Sequence, residues 1–183
     1  MNTAPIEIRV LTPDDAAPFQ EVRLEGLQHH PDAFTSTYER ESTQPLSFFA
    51  DRLMAATVFG AFRGAELIGV AGFARQPAAK HAHKGILWGM YVRPTARQSG
   101  LGQKLIEAVL DHAHTQVEQI QLVVVGDNHP ARRLYVRLGF EEYGFEKQAT
   151  KYQGHYHDDV LMAKMLMPDP DQTSGVPSGG ANP

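Results

Sequence analysis

The sequence predicts a mixed α/β domain, and three features of its 183 residues support this fold class. Apolar and polar residues alternate in residues 6–11, which indicates a half-buried strand. Apolar residues recur at helical spacing in residues 102–114, which indicates an amphipathic helix. Hairpin-like runs come early and alternating helix–strand units come late, so the predicted order is β-α-α-β-β-β-α-β-α-β-β.

The first quarter of the chain contains one predicted strand and two predicted helices. After the strand at residues 6–11, a helix is expected over residues 12–27, since Thr12 suits an N-cap and Pro13 suits the first helical position. Next we expect a loop or short helix at residues 31–41 and a second helix at residues 46–54.

The middle of the chain has the pattern of a hairpin followed by a third strand. Residues 57–63 and 67–75 are apolar and strand-like, and a short glycine-containing segment separates them. A polar loop follows at residues 76–83. The third apolar run, residues 86–92, ends at Arg93-Pro94.

The second half alternates helices and strands. The helix at residues 102–114 precedes residues 120–125, which are nearly all β-branched or aliphatic and predict a strand buried on both faces. A short helix is expected at residues 130–138, with Gly139 as its stop. Two final strands are expected at residues 140–148 and 156–166.

Composition predicts where the domain ends and which functions are excluded. Residues 168–183 are rich in Pro, Gly, Ser and Asp, so we predict a disordered tail after a domain of residues 1–167. The net charge of −4 predicts no nucleic-acid partner, and the absence of cysteine excludes a cysteine nucleophile or thiolate metal site. The sequence shows neither a signal peptide nor an apolar run of about 20 residues, so we expect a cytoplasmic protein without membrane contact.

A glycine-containing turn between a strand and a helix is the strongest sign of chemistry. Arg97-Gln98-Ser99-Gly100-Leu101-Gly102 follows the strand of residues 86–92. The first N–H groups of the following helix are unpaired at the positive end of its dipole, so a pyrophosphate fits there. A Walker A loop is excluded because it ends in Gly-Lys-Ser/Thr, whereas this loop ends in Gly102-Gln103-Lys104. A dinucleotide fingerprint is excluded because its three glycines at set spacing are missing. A turn that only lets the helix pack remains an alternative.

Two motifs resemble those of the GCN5-related N-acetyltransferase (GNAT) superfamily, whose small-molecule-type members include many uncharacterised proteins. The first is Arg97-x-x-Gly100-x-Gly102, and the second is Asn128-x-x-Ala131-x-x-Leu134-Tyr135-x-x-x-Gly139-Phe140. The resemblance covers residues 6–166. It implies a GNAT fold, in which about four helices flank a central mixed, splayed sheet of six to seven strands.

The resemblance also implies that the chain is an acyl-CoA-dependent enzyme that transfers acetyl from acetyl-CoA directly to a primary amine. Gly89 falls where the family has a strand bulge that admits the thioester. By the same resemblance, Tyr135 protonates the leaving thiolate, although a plain core aromatic is the alternative reading. The residues implied in cofactor binding are Met90, Tyr91, Val92, Arg97, Gln98, Ser99, Gly100, Leu101, Gly102, Gln103, Asn128 and Tyr135.

The general base and the acceptor are less defined. Ile86 and Val123 stand where relatives carry glutamate, so the resemblance implies no general base here. A water relay, or an amine that binds already neutral, would remove the need for a side-chain base. Other candidates for the base are Glu39, Glu41, His81, His83 and Asp158. Tyr38, Glu39, Tyr156 and Asp158 are the expected acceptor-side residues, while loop packing with exposed acids is the alternative.

Several wider questions stay open at this stage. The acceptor could be an amino acid analogue, a polyamine, an aminoglycoside-like amine or a protein N-terminus. The histidine-rich groups of residues 81–83 and 155–159 could suggest a metal site, but we expect none. The resemblance also allows a homodimer in which the final strands of two subunits meet. The rival function is a catalytically silent acyl-CoA-binding sensor or interaction module.

Overall fold

The computed structural model describes residues 4–166, so the tail expected at residues 168–183 lies outside the described residues. Seven strands form one open sheet in the order β1-β2-β3-β4-β5-β7-β6, in which only the β4–β5 pair is parallel. The strands are β1 (Ile6–Val10), β2 (Thr57–Arg63), β3 (Glu66–Arg75), β4 (Lys84–Val92), β5 (Gln119–Val125), β6 (Glu141–Tyr152) and β7 (His155–Met165). The helices are α1 (Ala16–His29), α2 (Tyr38–Glu41), α3 (Leu46–Ala55), α4 (Leu101–His114) and α5 (His129–Arg137).

The mixed α/β prediction is confirmed. Two elements differ most from their expected bounds: β6 runs to Tyr152, four residues beyond the expected residue 148, and the first helix begins later than expected. A three-residue 3-10 turn, Pro13–Asp15, precedes α1, which runs two residues beyond the expected end at Leu27. The Asp15 carboxylate accepts hydrogen bonds from the Thr12 backbone N–H at 2.8 Å and from the Arg9 guanidinium at 2.7 Å. These bonds tie the helix start to β1.

Two apolar clusters cover the two faces of the sheet. On one face, α4 packs against β2, β3 and β4, and Leu105, Ile106 and Val109 are fully buried there. On the other face, α1 and α3 pack through residues such as Phe19 and Phe49. The sheet is therefore a middle layer, and ligands reach its centre only where neighbouring strands separate.

The parallel strands β4 and β5 separate partway along their length. They pair only at Lys84↔Gln119, Gly85↔Ile120 and Ile86↔Gln121, although β4 continues to Val92 and β5 to Val125. Beyond Ile86, β4 keeps its antiparallel partner β3, and β5 keeps β7. The two strands therefore enclose a wedge-shaped opening.

The strand β5 is not buried on both faces as expected. Ile120, Leu122 and Val124 are buried under α4 and α5, but Val123 on the opposite face is 58% exposed. The physical reason is the separation of β4, which carries the covering helices α1 and α3 away from this part of the sheet. An aliphatic run in a strand beside such an opening therefore does not guarantee burial.

Candidate active site

The opening between β4 and β5 leaves one backbone edge of β4 free. Residues 87–92 have no β5 partner, so their N–H and C=O groups on that side have no strand partner within the described chain. Unpaired strand edges readily bind another extended chain by adding hydrogen bonds. An extended ligand arm fits this edge in the manner of an added strand.

A bulge at Gly89 lies within the part of β4 that has separated from β5. The register of β3 and β4 runs from Val70↔Tyr91 to Gly72↔Trp88, so β4 holds one extra residue there. Gly89 adopts φ +63°, a left-handed conformation that a side chain would strain. Glycine at this position thus permits the bulge predicted from the resemblance.

The N-terminus of α4 lies after the end of β4 and carries unpaired amides. Its first backbone bond joins the Lys104 N–H to the Gly100 carbonyl, so the N–H groups of Leu101, Gly102 and Gln103 have no helical partner. Gly100 is the N-cap at φ +76°, and a Cβ there would meet no described atom within 4 Å. This open, positively polarised end suits a pyrophosphate.

Side chains of the expected phosphate loop mostly make structural contacts. The Ser99 hydroxyl donates to the Ala96 carbonyl at 2.7 Å, and Leu101 is buried in the core. The Gln103 amide donates to Glu107 at 2.8 Å, while Gln98 adopts φ +60°. The side chains of Ser99, Leu101 and Gln103 therefore already have other contacts. An anion at this loop would be bound by the backbone amides of residues 98–103.

Arg97 is directed toward α1. Its Nε donates to the Val92 carbonyl at 3.0 Å, and its Nη2 lies 2.9 Å from Nε2 of His30. The pKa of His30 is lowered, first by burial and then by the Arg97 charge. A neutral His30 ring is therefore favoured, and its Nε2 can accept a hydrogen bond from Arg97. Arg97 therefore fastens the end of β4 to the end of α1.

The three β4 residues expected at the cofactor have different side-chain environments. Met90 and Val92 are half-buried against the α4 cluster. Tyr91 is buried on the opposite face, where its hydroxyl donates to Glu25 at 2.9 Å. Burial, followed by the hydrogen bond to Glu25, raises the pKa of Tyr91 to about 12. Tyr91 can thus offer a ligand its backbone but not its hydroxyl.

Asn128 and Tyr135 belong to α5, beside β5. Asn128 is the N-cap of this helix, and its side-chain oxygen accepts the Ala131 N–H at 3.3 Å. Tyr135 is buried, and its ring meets Phe140 edge to face at 5.7 Å between centroids. Within residues 4–166, the Tyr135 hydroxyl makes no hydrogen bond.

Burial raises the pKa of Tyr135 to about 12. The phenol therefore keeps its proton throughout the neutral pH range. A protonated hydroxyl that has no other partner can donate to a group bound nearby. Both the predicted acid role and its alternative, a core aromatic, agree with the burial of the ring.

A buried ionic triad lies on the α1 side of the opening, and residue-by-residue reading missed it. Arg23 donates to Glu41 from Nε at 3.0 Å and from Nη2 at 2.9 Å, and Arg52 donates to the same carboxylate at 3.2 Å. Glu41 is fully buried and Arg23 is 7% exposed. The available signal was Arg23 itself, an arginine between Val22 and Gly26 on the apolar face of α1, which requires an acidic partner.

The triad argues against Glu41 as a general base. Burial by itself would raise the pKa of Glu41, but the hydrogen bond and charge of Arg23, together with the charge of Arg52, outweigh it and lower the pKa. A carboxylate held by two guanidinium groups is a poor proton acceptor.

The two histidine candidates for the base lie away from the opening. His81 belongs to a 3-10 turn, and the His83 carbonyl accepts the N–H groups of Glu118 and Gln119. Both residues thus lie before the paired end of β4 and β5, whereas the strands separate at the other end.

The expected acceptor-side residues do not form one cluster. Tyr38 and Glu39 lie on α2, with Glu39 exposed. Alternation along β7 places Tyr156 and Asp158 on the same face as Val160 and Met162, which pack with α4 and α5. The Tyr156 hydroxyl accepts from Lys151 at 3.2 Å, and Asp158 accepts the Gln148 N–H at 2.7 Å.

Two further features of residues 4–166 concern metal binding and membrane insertion. No group of three or more His, Cys, Asp or Glu residues in this range could hold a metal ion. None of the helices in the same range is long and apolar enough to cross a membrane.

The geometry fits coenzyme A at three points. The free edge of β4 suits the extended pantetheine arm, the bare amides at Gly100 suit the pyrophosphate, and the bulge at Gly89 leaves room beside the reacting end. Residues 90–92, the amides of residues 98–103 and Tyr135 are the groups that would hold it.

The chain is similar to known acetyltransferases in sequence and in fold. A mycothiol acetyltransferase from Streptomyces scabiei (strain 87.22) is 31% identical over 140 residues, which are 75% of this chain and 44% of that protein. The chain thus spans less than half the length of this curated relative.

Two solved structures share the fold. A GNAT-family acetyltransferase from Streptococcus pneumoniae superposes with a TM-score of 0.79 at 21% identity, covering 89% of this chain and 100% of that one. An acetyltransferase from Salmonella typhimurium, solved with its cofactor acetyl-CoA, superposes with a TM-score of 0.75 at 20% identity, covering 97% and 100%.

The sequence model of the acetyltransferase (GNAT) family matches residues 24–140, a range that runs from α1 past Tyr135 and contains both motifs. Enzymes of this family use acetyl-CoA. The match extends over more than half of the 183 residues. The chain belongs to the acetyltransferase (GNAT) family.

Proposed function

We propose that this protein transfers an acetyl group from acetyl-CoA to a primary amine of a small molecule or peptide in a ternary complex. The observation that carries the proposal is the opening between β4 and β5, with the bare N-terminus of α4 at one end and the protonated Tyr135 beside β5. Direct attack by the amine needs no acyl-enzyme, which agrees with a chain that has no cysteine.

Each group of the opening has a proposed part. The amides of residues 98–103 bind the pyrophosphate, and the backbone of Met90, Tyr91 and Val92 aligns the pantetheine arm. The cofactor supplies an activated acyl thioester. Backbone N–H groups near Met90 are available to stabilise negative charge that develops on the acyl oxygen.

Tyr135 is the proposed general acid. It holds its proton on the phenolic oxygen at neutral pH because burial disfavours the charged phenolate. The apolar neighbours of the ring, including Phe140, exclude water from that side of the hydroxyl. The proton is therefore retained until a thiolate lies within reach.

The remaining site roles are part of the same proposal. Arg97 and Asn128 hold the walls of the opening through their contacts with His30 and Ala131, and the free amide nitrogen of Asn128 is available to the cofactor. Tyr38, Glu39, Tyr156 and Asp158 remain the predicted acceptor-side residues. We further propose a cytoplasmic location.

Turnover of an amine tests the proposal directly. The full chain is incubated with acetyl-CoA and a panel of amino acids, polyamines, aminoglycosides and short peptides, and both thiol release and the mass gain of each amine are measured. We expect stoichiometric thiol release and N-acetylation of at least one amine. Thiol release without acetylated amine, or no turnover of any amine, would contradict the proposal.

A silent acyl-CoA-binding module is the second candidate, and one observation favours it. Glu41 is locked in its ionic triad, and Ile86 and Val123 offer no carboxylate beside the opening. Saturable acetyl-CoA binding without turnover would support this candidate. Turnover that falls in a Tyr135→Phe variant would exclude it.

A homodimer through the last two strands is a further proposal. Tyr143, Phe145 and Met165 on β6 and β7 are more than half exposed, which is unusual for large apolar side chains. Light scattering of the purified chain should give twice the monomer mass. A monomer at high protein concentration would exclude the homodimer.

A further inference from the structure

Arg23 places one nitrogen of its guanidinium beside Gly89. A Cβ built on Gly89 would meet only one described heavy atom within 4 Å, Nη1 of Arg23 at 3.9 Å. Arg23 uses Nε and Nη2 to bind Glu41, while its Nη1 makes no hydrogen bond to any residue in the range 4–166. The side chain is more than nine-tenths buried, and its Nη1 lies beside the bulge.

The position of Arg23 is fixed from several sides. Glu41 binds one edge of its guanidinium, and the plane lies over the Phe34 ring at 4.8 Å from the centroid. Glu41 is itself fixed by Arg52 at 3.2 Å. Because the group cannot move without breaking a buried ion pair, its free Nη1 is preorganised.

The triad leaves a positive charge at this place. Two guanidinium groups surround one carboxylate, and the low pKa of Glu41 keeps that carboxylate ionised. A buried cation with unused N–H donors attracts an anion, and a carboxylate matches its planar geometry. A polyamine, which brings only positive charge, would be repelled.

We propose that Arg23 selects acceptor amines that also carry a carboxylate, and that Nη1 binds this carboxylate on the α1 side of the opening. The inference rests on the proposed acetyl transfer, since it names the class of acceptor for the same site. Arg23 is here a specificity-determining residue, whereas Glu41 positions it.

Matched acceptors separate charge recognition from amine chemistry. Each amino acid of the standard set is compared with its carboxamide, which keeps the amine and removes the negative charge. We expect kcat/KM for the best amino acid to exceed that of its amide by at least about tenfold, the order expected for a charge-assisted hydrogen bond. In Arg23→Gln the ratio should approach one.

Arg52→Gln is the matched control. Arg52 contributes a similar charge to the triad, but no Arg52 atom lies within 4 Å of the Cβ position at Gly89. The preference for the acid should survive in this variant. If Arg23→Gln fails to fold, the double variant Arg23→Gln with Glu41→Gln removes the buried pair together and serves in its place, with circular dichroism as the check on folding.

Binding of the products gives a readout that needs no turnover. N-acetyl amino acids and their amides are titrated into the protein with coenzyme A present. Tighter binding of the acids, lost in Arg23→Gln, would support the inference even if no amine is acetylated, in which case only the proposed acetyl transfer fails. Equal binding of acids and amides, or an equal loss of both in Arg23→Gln, would overturn the inference while leaving acetyl transfer intact.

Discussion

Two side chains, Tyr135 and Arg23, show how differently individual residues can be predicted. Tyr135 is identified because it stands in a motif, and the structure adds that its side chain is buried, which raises its pKa to about 12. Arg23 belongs to no motif, and its meaning depends on Glu41, which lies 18 residues further along the chain. Contacts of this kind depend on tertiary structure, which a residue pattern does not contain.

Replacing the phenol should affect chemistry more than binding. We expect Tyr135→Phe to lower kcat by about 10²- to 10⁴-fold, the range for loss of a positioned acid, with little change in the Kd for acetyl-CoA. Steady-state kinetics and calorimetry measure the two effects. An unchanged kcat would favour the reading of Tyr135 as a core aromatic.

The expected pH dependence of kcat follows from the raised pKa of Tyr135. Because Tyr135 titrates at about 12, the acid remains protonated and should cause no loss of kcat between about pH 7 and pH 10. The pH profiles of the unmodified protein and of Tyr135→Phe are compared over this range. A fall near pH 9 that is absent from the variant would contradict this assignment.

At the scale of elements, the ionic triad joins the helices that cover one side of the strand opening. The triad fastens α2 and α3 to α1, and α1 covers the face of β4 that carries Gly89. The sequence predicts the existence of α3, α4, α5 and the early hairpin because their periodicity is local. It does not predict that the carboxylate of Glu41 at the end of α2 is buried, because that burial depends on α1 and α3. Nor does it predict that Val123 is exposed, because that exposure depends on the separation of β4 from β5.

Removing the central carboxylate should destabilise the fold. We expect Glu41→Ala to lower the free energy of unfolding by about 3 to 5 kcal/mol, because it leaves two arginines without their buried partner. Glu39→Ala on the same helix is the control, and this exposed position should change stability by less than about 0.5 kcal/mol. Urea denaturation measures both, and equal effects would contradict the role of the triad.

The junction of β1 with the first helix should respond to acid. The hydrogen bond from Arg9 is the main cause that lowers the pKa of Asp15 to about 2 from an ordinary 3.8. Its stabilising contribution is therefore complete above the unfolded pKa and is lost as the pH falls through the folded one.

We expect Asp15→Asn to cost about 1 kcal/mol of unfolding free energy at pH 7, and roughly half of that near pH 3. The neighbouring Asp14 is exposed and makes no side-chain hydrogen bond within residues 4–166, so Asp14→Asn is the control. Urea denaturation at the two pH values measures the difference. A cost that does not change with pH would contradict the ion pair.

At the scale of the whole molecule, the order of elements and the mixed sheet were predictable, and the shape of the sheet was predictable only through the family motifs. Local patterns specify strands and helices, but the separation of β4 from β5 is a property of strand pairing. The same limit applies to the acceptor side, where Tyr38 and Tyr156 seemed comparable in sequence but belong to different faces of the sheet.

Cofactor binding should stabilise the entire fold. At acetyl-CoA concentrations of 100 times Kd, linkage gives about 2.7 kcal/mol. For a chain of this size, that corresponds to a rise in Tm of about 5 to 10 °C. Thermal unfolding with and without acetyl-CoA measures the shift. A similar rise in a variant with a blocked phosphate loop would show that the ligand binds elsewhere.

The central claim is that the glycine loop at the start of α4 binds the pyrophosphate of acetyl-CoA. Gly100→Glu places a negative side chain there, and Gly64→Glu is its matched control, because Gly64 also has a positive φ, at +61°, and also meets no described atom within 4 Å. Both variants carry similar backbone strain, so they differ mainly in position.

Calorimetric titration of acetyl-CoA into the three proteins is the most direct measurement. The account predicts saturable micromolar-range binding to the unmodified protein and to Gly64→Glu, and binding weakened by at least about tenfold in Gly100→Glu, as expected for a repulsive charge beside a phosphate. No binding to the unmodified protein, or equal affinity in all three, would contradict the assignment of this loop and the role of Tyr135 that depends on it.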